Sequence, residues 1–187
     1  MNYRNFLFTS ILAVAVAGCA TVAVVGKGPV NIDGAYTVQN DAEWASIKIG
    51  NLHLWTLDGP ALQELRFITG VEDGETMFTS NSPEKLPKFR GTMNELEIVE
   101  FFQASTAALG IQSMNTSNMR PAQFGAKPGL RFEFDYLTKN GLGMVGFATG
   151  AVVDKKLYMI FYFGARQHYF DKRRKEAQRV MESVKFL

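Results

Sequence analysis

The sequence predicts an α+β fold, an antiparallel β-sheet with two main helices packed on it in an α-β-α sandwich. Two runs of strand-like segments predict the sheet, and two segments with a helical spacing of apolar residues predict the helices. Strands that adjoin in hairpins and are followed by a helix, twice along the chain, are typical of α+β domains. The chain has 187 residues, of which 47% are hydrophobic and 20% charged, so its composition is that of an ordinary globular domain.

The first strands are predicted over residues 44–49 and 52–57, on either side of Gly50-Asn51, a dipeptide typical of two-residue hairpin turns. A third strand is predicted over 62–71, where apolar residues resume after a turn. Residues 72–91 mix Gly, Pro and Ser with charged residues and therefore predict a loop.

The first helix is predicted over 92–109. Thr92 and Glu95 have the spacing of a capping box, in which each side chain accepts a hydrogen bond from the backbone of the other residue. The apolar face predicted for this helix has three- and four-residue spacing and consists of Leu96, Val99, Phe102, Thr106 and Leu109. The second helix is predicted from about 170 to 185 and closes the domain, with one apolar face made of Ala177, Val180, Met181 and Val184.

Between the two helices, residues 130–164 predict three successive strands. Charged residues alternate with apolar ones in the first of these strands and would share one face: Arg131, Glu133 and Asp135. A two-residue turn at Asn140-Gly141 would place them, in that order, opposite three small residues: Gly150, Ala148 and Gly146. A second turn at 154–156 would place Tyr158 and Tyr162 beyond this small-residue row.

The expected result is a shallow trough above the small residues, with the charged side chains on one wall and the two tyrosines on the other. A row almost without side chains indicates that something approaches the backbone closely. The closing helix and a bound ligand or partner peptide are the two alternatives, and the sequence leaves both open. The candidate ligand or partner contacts, including two residues at the junction with the closing helix, are Arg131, Glu133, Asp135, Tyr158, Tyr162, Arg166 and His168.

Several patterns match known active or cofactor sites but lack the context that those sites need. The glycine spacing of 141–146 matches a dinucleotide-binding fingerprint, but a strand follows it where that site requires a helix. Ser82 and Lys85 have a serine–lysine spacing, but a proline soon afterwards ends any helix that would bring them together. The only histidines, His53 and His168, lie in different predicted elements, and the net charge is only +2. We therefore predict no cofactor, no metal site and no nucleic-acid partner.

The N-terminus has the pattern of an export signal. Arg4 precedes an apolar run over 6–16, which leads into Val16-Ala17-Gly18-Cys19. These four residues resemble the lipobox of bacterial lipoproteins, in which signal peptidase II cuts before the cysteine and acyl chains are attached to it. The resemblance implies a lipid anchor, such as palmitate, on Cys19. Because an aspartate after that cysteine often retains lipoproteins at the inner membrane, Ala20 implies the outer membrane, with the protein facing the periplasm.

The chain is accordingly expected to divide into three parts. Residues 1–18 are the signal peptide, 19–33 the lipidated N-terminus and a tether, and 34–187 a single α+β globular domain. An alternative interpretation of the N-terminus is an uncleaved helix over 6–25, which is long and apolar enough to span a membrane.

The order of strands, helix, strands and helix resembles that of the PsbP-like family over 34–187. The closing segment Met181-Glu182-Ser183-Val184-Lys185-Phe186 adds to this resemblance. The family consists of small α-β-α sandwiches and includes many bacterial lipoproteins. The resemblance therefore implies a sandwich fold, and it carries over no common set of catalytic residues.

An anchor, a small sandwich and no recognisable catalytic constellation together indicate a non-enzymatic, lipid-anchored module that binds a protein or an envelope component. One alternative is a small-molecule binding protein, in which Arg131 would pair with an anionic or amphipathic ligand and the tyrosines would stack on it. Another is a hydrolase of unknown substrate that uses Glu133, Asp135 or His168 for acid–base chemistry.

Overall fold

The structure is a computed structural model that describes residues 21–49, 52–111 and 113–187. The predicted signal peptide, Cys19, Ala20 and the turn residues Gly50 and Asn51 lie outside the described residues.

The described residues form eleven β-strands and two α-helices. The strands are β1 (Thr21–Val25), β2 (Gly28–Ile32), β3 (Tyr36–Asn40), β4 (Trp44–Ile49), β5 (Leu52–Thr56), β6 (Gln63–Val71), β7 (Asn115–Phe124), β8 (Lys127–Leu137), β9 (Gly143–Val153), β10 (Lys156–Ala165) and β11 (Lys185–Phe186). The helices are α1 (Glu95–Ala108) and α2 (Tyr169–Glu182). Eight strands form one antiparallel sheet in the order β1-β4-β5-β6-β10-β9-β8-β7, and three form a small sheet in the order β11-β3-β2.

The large sheet separates two hydrophobic cores. Helix α1 packs on one face, where its fully buried Phe102 lies against Phe132 and Phe161 with ring centroids 5.3 Å from each. Helix α2 and the small sheet cover the opposite face, above Phe147 and Tyr162. An antiparallel sheet with two main helices packed on it is therefore confirmed as the fold.

The predicted elements of the first half are found with small shifts. Strand β4 pairs with β5 from Ile49 opposite Leu52, and the two residues of the predicted turn lie outside the described residues. Strand β6 begins one residue later than predicted, and the predicted loop over 72–91 contains only a short 3-10 turn at Pro83–Lys85.

Helix α1 starts later than predicted, and its capping box is a different pair. The side chain of Asn94 accepts from the backbone N–H of Glu97, and the side chain of Glu97 accepts from that of Asn94. Asparagine caps a helix as well as threonine does, so two residue pairs in this segment match the capping-box pattern. The predicted apolar face was also partly wrong, because Leu96 is 55% and Leu109 40% exposed. The buried face instead consists of Ile98, Val99, Phe101, Phe102, Ser105 and Thr106.

The predicted register of β8 against β9 is wrong by one residue. Thr138 closes the loop: its N–H donates to the carbonyl of Leu142, and its hydroxyl accepts from the N–H of that residue. The last strand pair is therefore Leu137 opposite Gly143, and the loop has five residues where the prediction had two. A slip of one residue exchanges the faces of paired rows, because side chains alternate along a strand.

The next hairpin is shifted in the same way. Asp154 and Lys155 form a two-residue turn with left-handed backbone angles (φ 50° and 62°), and Lys156 pairs with Val153. Because both hairpins are shifted by one residue, the relative placement of β8 and β10 side chains on the two faces is unchanged. The charged row of β8 and the tyrosines of β10 thus share a face, as predicted, but Gly146, Ala148 and Gly150 belong to the opposite one.

The expected tether over 19–33 is wrong for the residues that the structure describes. Strand β1 pairs with β4 at the edge of the large sheet, and β2 pairs with β3 in the small sheet. The buried amide of Asn40 holds the connection, because its Nδ2 donates to the carbonyl of Gly26 at 2.8 Å. This segment is part of the fold and not a spacer.

Candidate functional site

The small residues of β9 do not form a trough, because the protein's own core fills the space beside them. Gly146 lies opposite Phe134, and a Cβ at this glycine would come within 2.6 Å of the Phe134 ring and of the Tyr162 carbonyl oxygen. At Gly150 a Cβ would lie 2.5 Å from the carbonyl oxygen of Tyr158. What approaches these backbone positions closely is an aromatic ring and two carbonyls, so the predicted trough is absent.

Of the two predicted tyrosines, Tyr162 is buried and Tyr158 is half-buried. Tyr162 is fully buried, and its hydroxyl donates to the carbonyls of Tyr169 (3.2 Å) and Phe170 (3.0 Å) at the start of α2. Burial raises the pKa of Tyr162 well above its ordinary value. Tyr158 packs edge-on against Phe186 of β11, with ring centroids 5.1 Å apart. Of the two alternatives left open by the sequence, the closing helix is the one that covers this face.

Three of the predicted residues line a small polar pocket of about 180 Å³ beside the first turn of α2. Glu133, Asp135 and Arg166 surround it together with Arg174, and Phe147 contributes to its wall. Asp135 and Arg166 form a loose ion pair at 3.6 Å. Three of the other four positions are separate: Tyr162 lies in the core, Tyr158 is half-buried against it, and His168 is exposed before α2 with its ring against Tyr169.

Arg131 lies on the same face but makes no ion pair with the described residues. Its guanidinium stacks over the ring of Phe147 at 4.4 Å from the centroid, and its Nε is buried without an acceptor. Burial and the neighbouring positive charge of Arg120 lower the pKa of Arg131 from its ordinary value. This residue is therefore a desolvated cation held in place by an aromatic ring.

The sequence prediction missed the cleft between α1 and the sheet, which has a volume of about 370 Å³. The C-terminal end of α1 and the β8–β9 loop form its rim, and aromatic residues of the sheet form its floor. The lining residues on which the argument depends are Phe102, Phe134, Phe161, Phe163, Tyr136 and Leu142. A concave, mostly apolar site of this size is within the usual range for small-molecule pockets.

A buried ion pair forms the polar part of this cleft, which we call the α1 cleft. Nε of Arg66 donates to Glu64 at 2.5 Å, and the Glu64 side chain is only 8% exposed. The Arg66 guanidinium also lies 5.3 Å from the centroid of the Phe163 ring. Its two terminal nitrogens donate to no described residue and remain able to bind an acceptor in the cleft. Burial raises the pKa of the neighbouring Tyr136 to about 12, so its hydroxyl keeps its proton.

A second missed cluster joins Asp33, His53 and Ser46. Asp33 Oδ2 lies 3.2 Å from His53 Nδ1, and His53 Nε2 lies 3.3 Å from the Ser46 hydroxyl. The indole N–H of Trp55 donates to the same Nε2 at 3.2 Å, so the imidazole carries its proton on Nδ1. That donor occupies the position from which a catalytic histidine would take a serine proton. The cluster instead holds the β2–β3 turn, with its left-handed Asp33 (φ 52°), onto the large sheet.

The Asp33 link makes a pH-dependent contribution to stability. Burial alone would raise the pKa of Asp33, but hydrogen bonds and charge from Lys48 and His53 outweigh it and lower the pKa below its usual range. A carboxylate with a lowered pKa stabilises the fold above its unfolded pKa of about 3.9, and this contribution is lost as the pH falls through the folded value. We expect Asp33→Asn to cost about 1 kcal/mol at neutral pH and progressively less below pH ~4. Urea unfolding at several pH values measures this, with Asp154→Asn in an exposed turn as the control. A cost for Asp33→Asn that stays constant from pH 7 to pH 3 would contradict the assignment.

Neither a metal-binding cluster nor a membrane-spanning helix is found in the described ranges, 21–49, 52–111 and 113–187. No group of three or more His, Cys, Asp or Glu residues there is placed to hold a metal ion. No helix there is both long and apolar enough to cross a membrane. Of the alternative membrane span over 6–25, only residues 21–25 are described, and they form β1.

The fold and its sites define the class of the molecule: an antiparallel α+β domain with an apolar cleft under one helix. Its architecture is similar to the solution structure of cyanobacterial PsbP (CyanoP) from Synechocystis sp. PCC 6803. The two align with a TM-score of 0.57 and 10% sequence identity, over 96% of this chain and 98% of that one. At this identity the likeness concerns the fold alone, and at that level it supports the resemblance to the PsbP-like family. No protein-family model and no curated protein matches the sequence.

Proposed function

We propose that this protein is a lipid-anchored, non-enzymatic binding module of the bacterial cell envelope, and that its α1 cleft takes a small amphipathic molecule. The observation that carries the proposal is the cleft itself, an apolar cavity of about 370 Å³ with one ion pair in its wall. Small-molecule sites combine apolar walls with a few placed polar groups in this way.

The chemistry of the cleft indicates which end of the ligand lies where. Aromatic rings such as Phe102 and Phe161 would contact an apolar chain or ring. The free terminal nitrogens of Arg66 are suited to an acceptor such as a carboxylate, because its planar guanidinium can form two parallel hydrogen bonds through them while its Nε pairs with Glu64. An apolar molecule with a single acidic end therefore matches both parts of the site.

The proposed anchor agrees with the position of β1. If Cys19 carries the lipid, only Ala20 lies between it and Thr21, the first residue of β1. The two residue steps from Cys19 to Thr21 span at most about 7 Å, so the edge of the large sheet would be held at the membrane surface. Val22 and Val24 on that edge strand are 67% and 75% exposed, which suits contact with the membrane interface.

Octanoate, a medium-chain carboxylate, serves as the probe for the α1 cleft, with octan-1-ol for comparison. We expect octanoate to raise the melting temperature of the full chain in non-ionic detergent more than octan-1-ol does, because only the carboxylate can pair with Arg66. Leu142→Trp enlarges a side chain of the cleft rim and is expected to weaken octanoate binding about tenfold, the equivalent of about 1.4 kcal/mol. Thermal melting curves and titration calorimetry provide the two measurements.

The matched control is Leu137→Trp, which makes the same change on the same hairpin at a residue that is 59% exposed and does not line the cleft. Its octanoate affinity should equal that of the wild type. Equal weakening by both tryptophans, or no octanoate effect on the wild type, would refute the α1 cleft as the binding site.

A further inference from the structure

Three arginines converge on the α2 face of the sheet at its β7 edge. Arg120 of β7 and Arg131 of β8 are directly opposite each other in the strand register. Arg174, on the first half of α2, lines the same small pocket as Phe147, the ring on which Arg131 stacks. Its positive charge acts on Arg131, as do the negative charges of Glu182 and Glu133. Like charges placed opposite each other across two strands destabilise a sheet, so this arrangement needs a reason.

The two carboxylates whose charges act on Arg131, Glu133 and Glu182, form no ion pair with it and accept hydrogen bonds from neutral side chains. Glu133 accepts a hydrogen bond from Asn118 at 2.7 Å, and Glu182 accepts one from Gln178 at 2.6 Å. Within the described part of the chain, no carboxylate lies within 4.0 Å of the side-chain nitrogens of the three arginines. Neighbouring cations of α2 differ in this respect, since Lys172 and Arg173 both pair with Asp58 and Arg179 pairs with Asp41.

Two of the three guanidinium groups are also held in place by aromatic rings. Arg131 stacks on Phe147 at 4.4 Å, and Arg174 lies 5.6 Å from the centroid of the Phe170 ring. The Nε of Arg131 is buried with no acceptor among the described residues. A buried donor without a partner is costly. The terminal nitrogens of Arg131 are not buried in this way, so they can bind an acceptor from outside the chain. Positioned donors lose little conformational entropy when they bind.

We propose that Arg120, Arg131 and Arg174 form a binding site for a phosphate-type oxyanion. Guanidinium groups bind phosphate oxygens through paired N–H donors, and a dianion would relieve the mutual repulsion of three cations. The site is local, and a net charge of +2 for the chain gives no extended basic surface for a polyanion.

The phosphate could belong to a soluble phosphate ester or to a lipid head group, and the position of the site favours the ester. Strand β7 is at the opposite edge of the eight-stranded sheet from β1. Seven strand spacings of about 4.8 Å separate the two edges by about 34 Å along the sheet. This preference, unlike the site itself, depends on the proposed anchoring of the β1 edge at the membrane.

The test is the thermal unfolding of the full chain, in non-ionic detergent, as inorganic phosphate replaces chloride at constant ionic strength. Arg120→Gln and Arg174→Gln are the test variants, since both residues are exposed and their loss should leave the fold intact. Arg90→Gln is the control, because Arg90 is 62% exposed and pairs with Glu97 near the start of α1. We expect phosphate to raise the melting temperature of the wild type and of the control. In the test variants, phosphate affinity should fall about tenfold.

The changes in melting temperature expected for Arg120→Gln without and with phosphate are opposite in direction, and this difference distinguishes a binding site from a structural role. Without phosphate this variant should melt at or above the wild-type temperature, because a repulsive charge has been removed. With phosphate it should melt below the wild type. A wild type that does not respond to phosphate, or variants that respond as fully as the wild type, would overturn the proposal.

The source of the phosphate group is decided by comparing inorganic phosphate with glycerophosphoglycerol, the soluble form of a lipid head group. Stronger binding of inorganic phosphate supports the site and assigns it to a free phosphate ester. Stronger binding of glycerophosphoglycerol, a phosphate diester, supports the site and assigns it to a lipid head group. If neither compound binds in a manner that depends on Arg120 and Arg174, the site is refuted, while the α1 cleft remains to be judged by its own octanoate test.

Discussion

Gly146→Val is expected to destabilise the protein by about 3 kcal/mol or more, a large part of the stability of a domain of this size. The Cβ alone would come within 2.6 Å of the carbonyl oxygen of Tyr162 and of the Phe134 ring. The carbonyl belongs to a central strand and cannot move without disturbing the pairing of β9 and β10. The ring of Phe134 in turn packs against Phe102, so a displaced ring would also disturb the contact between α1 and the sheet.

Urea unfolding followed by circular dichroism measures the effect of Gly146→Val. Gly26→Val is the matched control, since nothing lies within 4 Å of a Cβ there and the backbone needs no left-handed angle. The control should stay within about 0.5 kcal/mol of the wild type. A valine at Gly146 that is tolerated as well as one at Gly26 would show that the β8–β9 register is not the one described here. The sequence-predicted trough would then have to be reconsidered.

Cys19→Ala is expected to abolish acylation of the protein completely. The proposal that Cys19 carries the anchor rests on the resemblance of Val16-Ala17-Gly18-Cys19 to a lipobox, in which the thiol is the acceptor of the lipid. Each buried methylene contributes about 0.8 kcal/mol to membrane binding, so two or more acyl chains give a stable anchor. Labelling cells with radioactive palmitate, together with intact-mass measurement, should show an unlabelled protein that retains residues 1–18.

The control for this experiment is Ala20→Ser, which changes the neighbouring residue and leaves the thiol in place. It should be labelled and cleaved as the wild type is. Palmitate on the Cys19→Ala protein would refute the lipoprotein assignment. An unlabelled wild type with residues 1–18 still attached would favour the alternative of an uncleaved membrane segment.

Strands β8, β9 and β10 and helix α2 could be predicted because their patterns are strong and local, whereas β7 and β11 were not predicted. The alternation of Arg131, Glu133 and Asp135 with apolar residues placed β8 correctly, and the helical spacing of Ala177, Val180 and Met181 placed α2. Burial on one face imposes these patterns on the sequence whatever the strand's partner is. The capping box of α1 was misplaced because Thr92 and Asn94 both satisfy its residue preferences.

The strand register could not be predicted from the sequence, and the error in register is the reason why the predicted trough is absent. Asn140-Gly141 indicates a two-residue turn, but the side chain and backbone of Thr138 close a longer loop by bonding to Leu142. Because the observed register differs from the predicted one by one residue, the small residues of β9 lie on the face that α1 covers. The charged row was placed on the correct face only because the next hairpin, at Asp154-Lys155, was shifted in the same way.

The sequence by itself determined the fold class, the order of six strands and the two helices, and the export and lipobox pattern, because each depends on residues close together in the chain. Only the tertiary structure decided which side chains from distant segments lie next to each other. Glu64 and Arg66 lie on the same face of β6, but they become a wall of the α1 cleft only because α1 and the β8–β9 loop pack above them. Arg120, Arg131 and Arg174 come from three elements, and only strand pairing and the docking of α2 bring their charges together. Binding sites of this kind arise from packing between distant segments, for which a single sequence contains no local pattern.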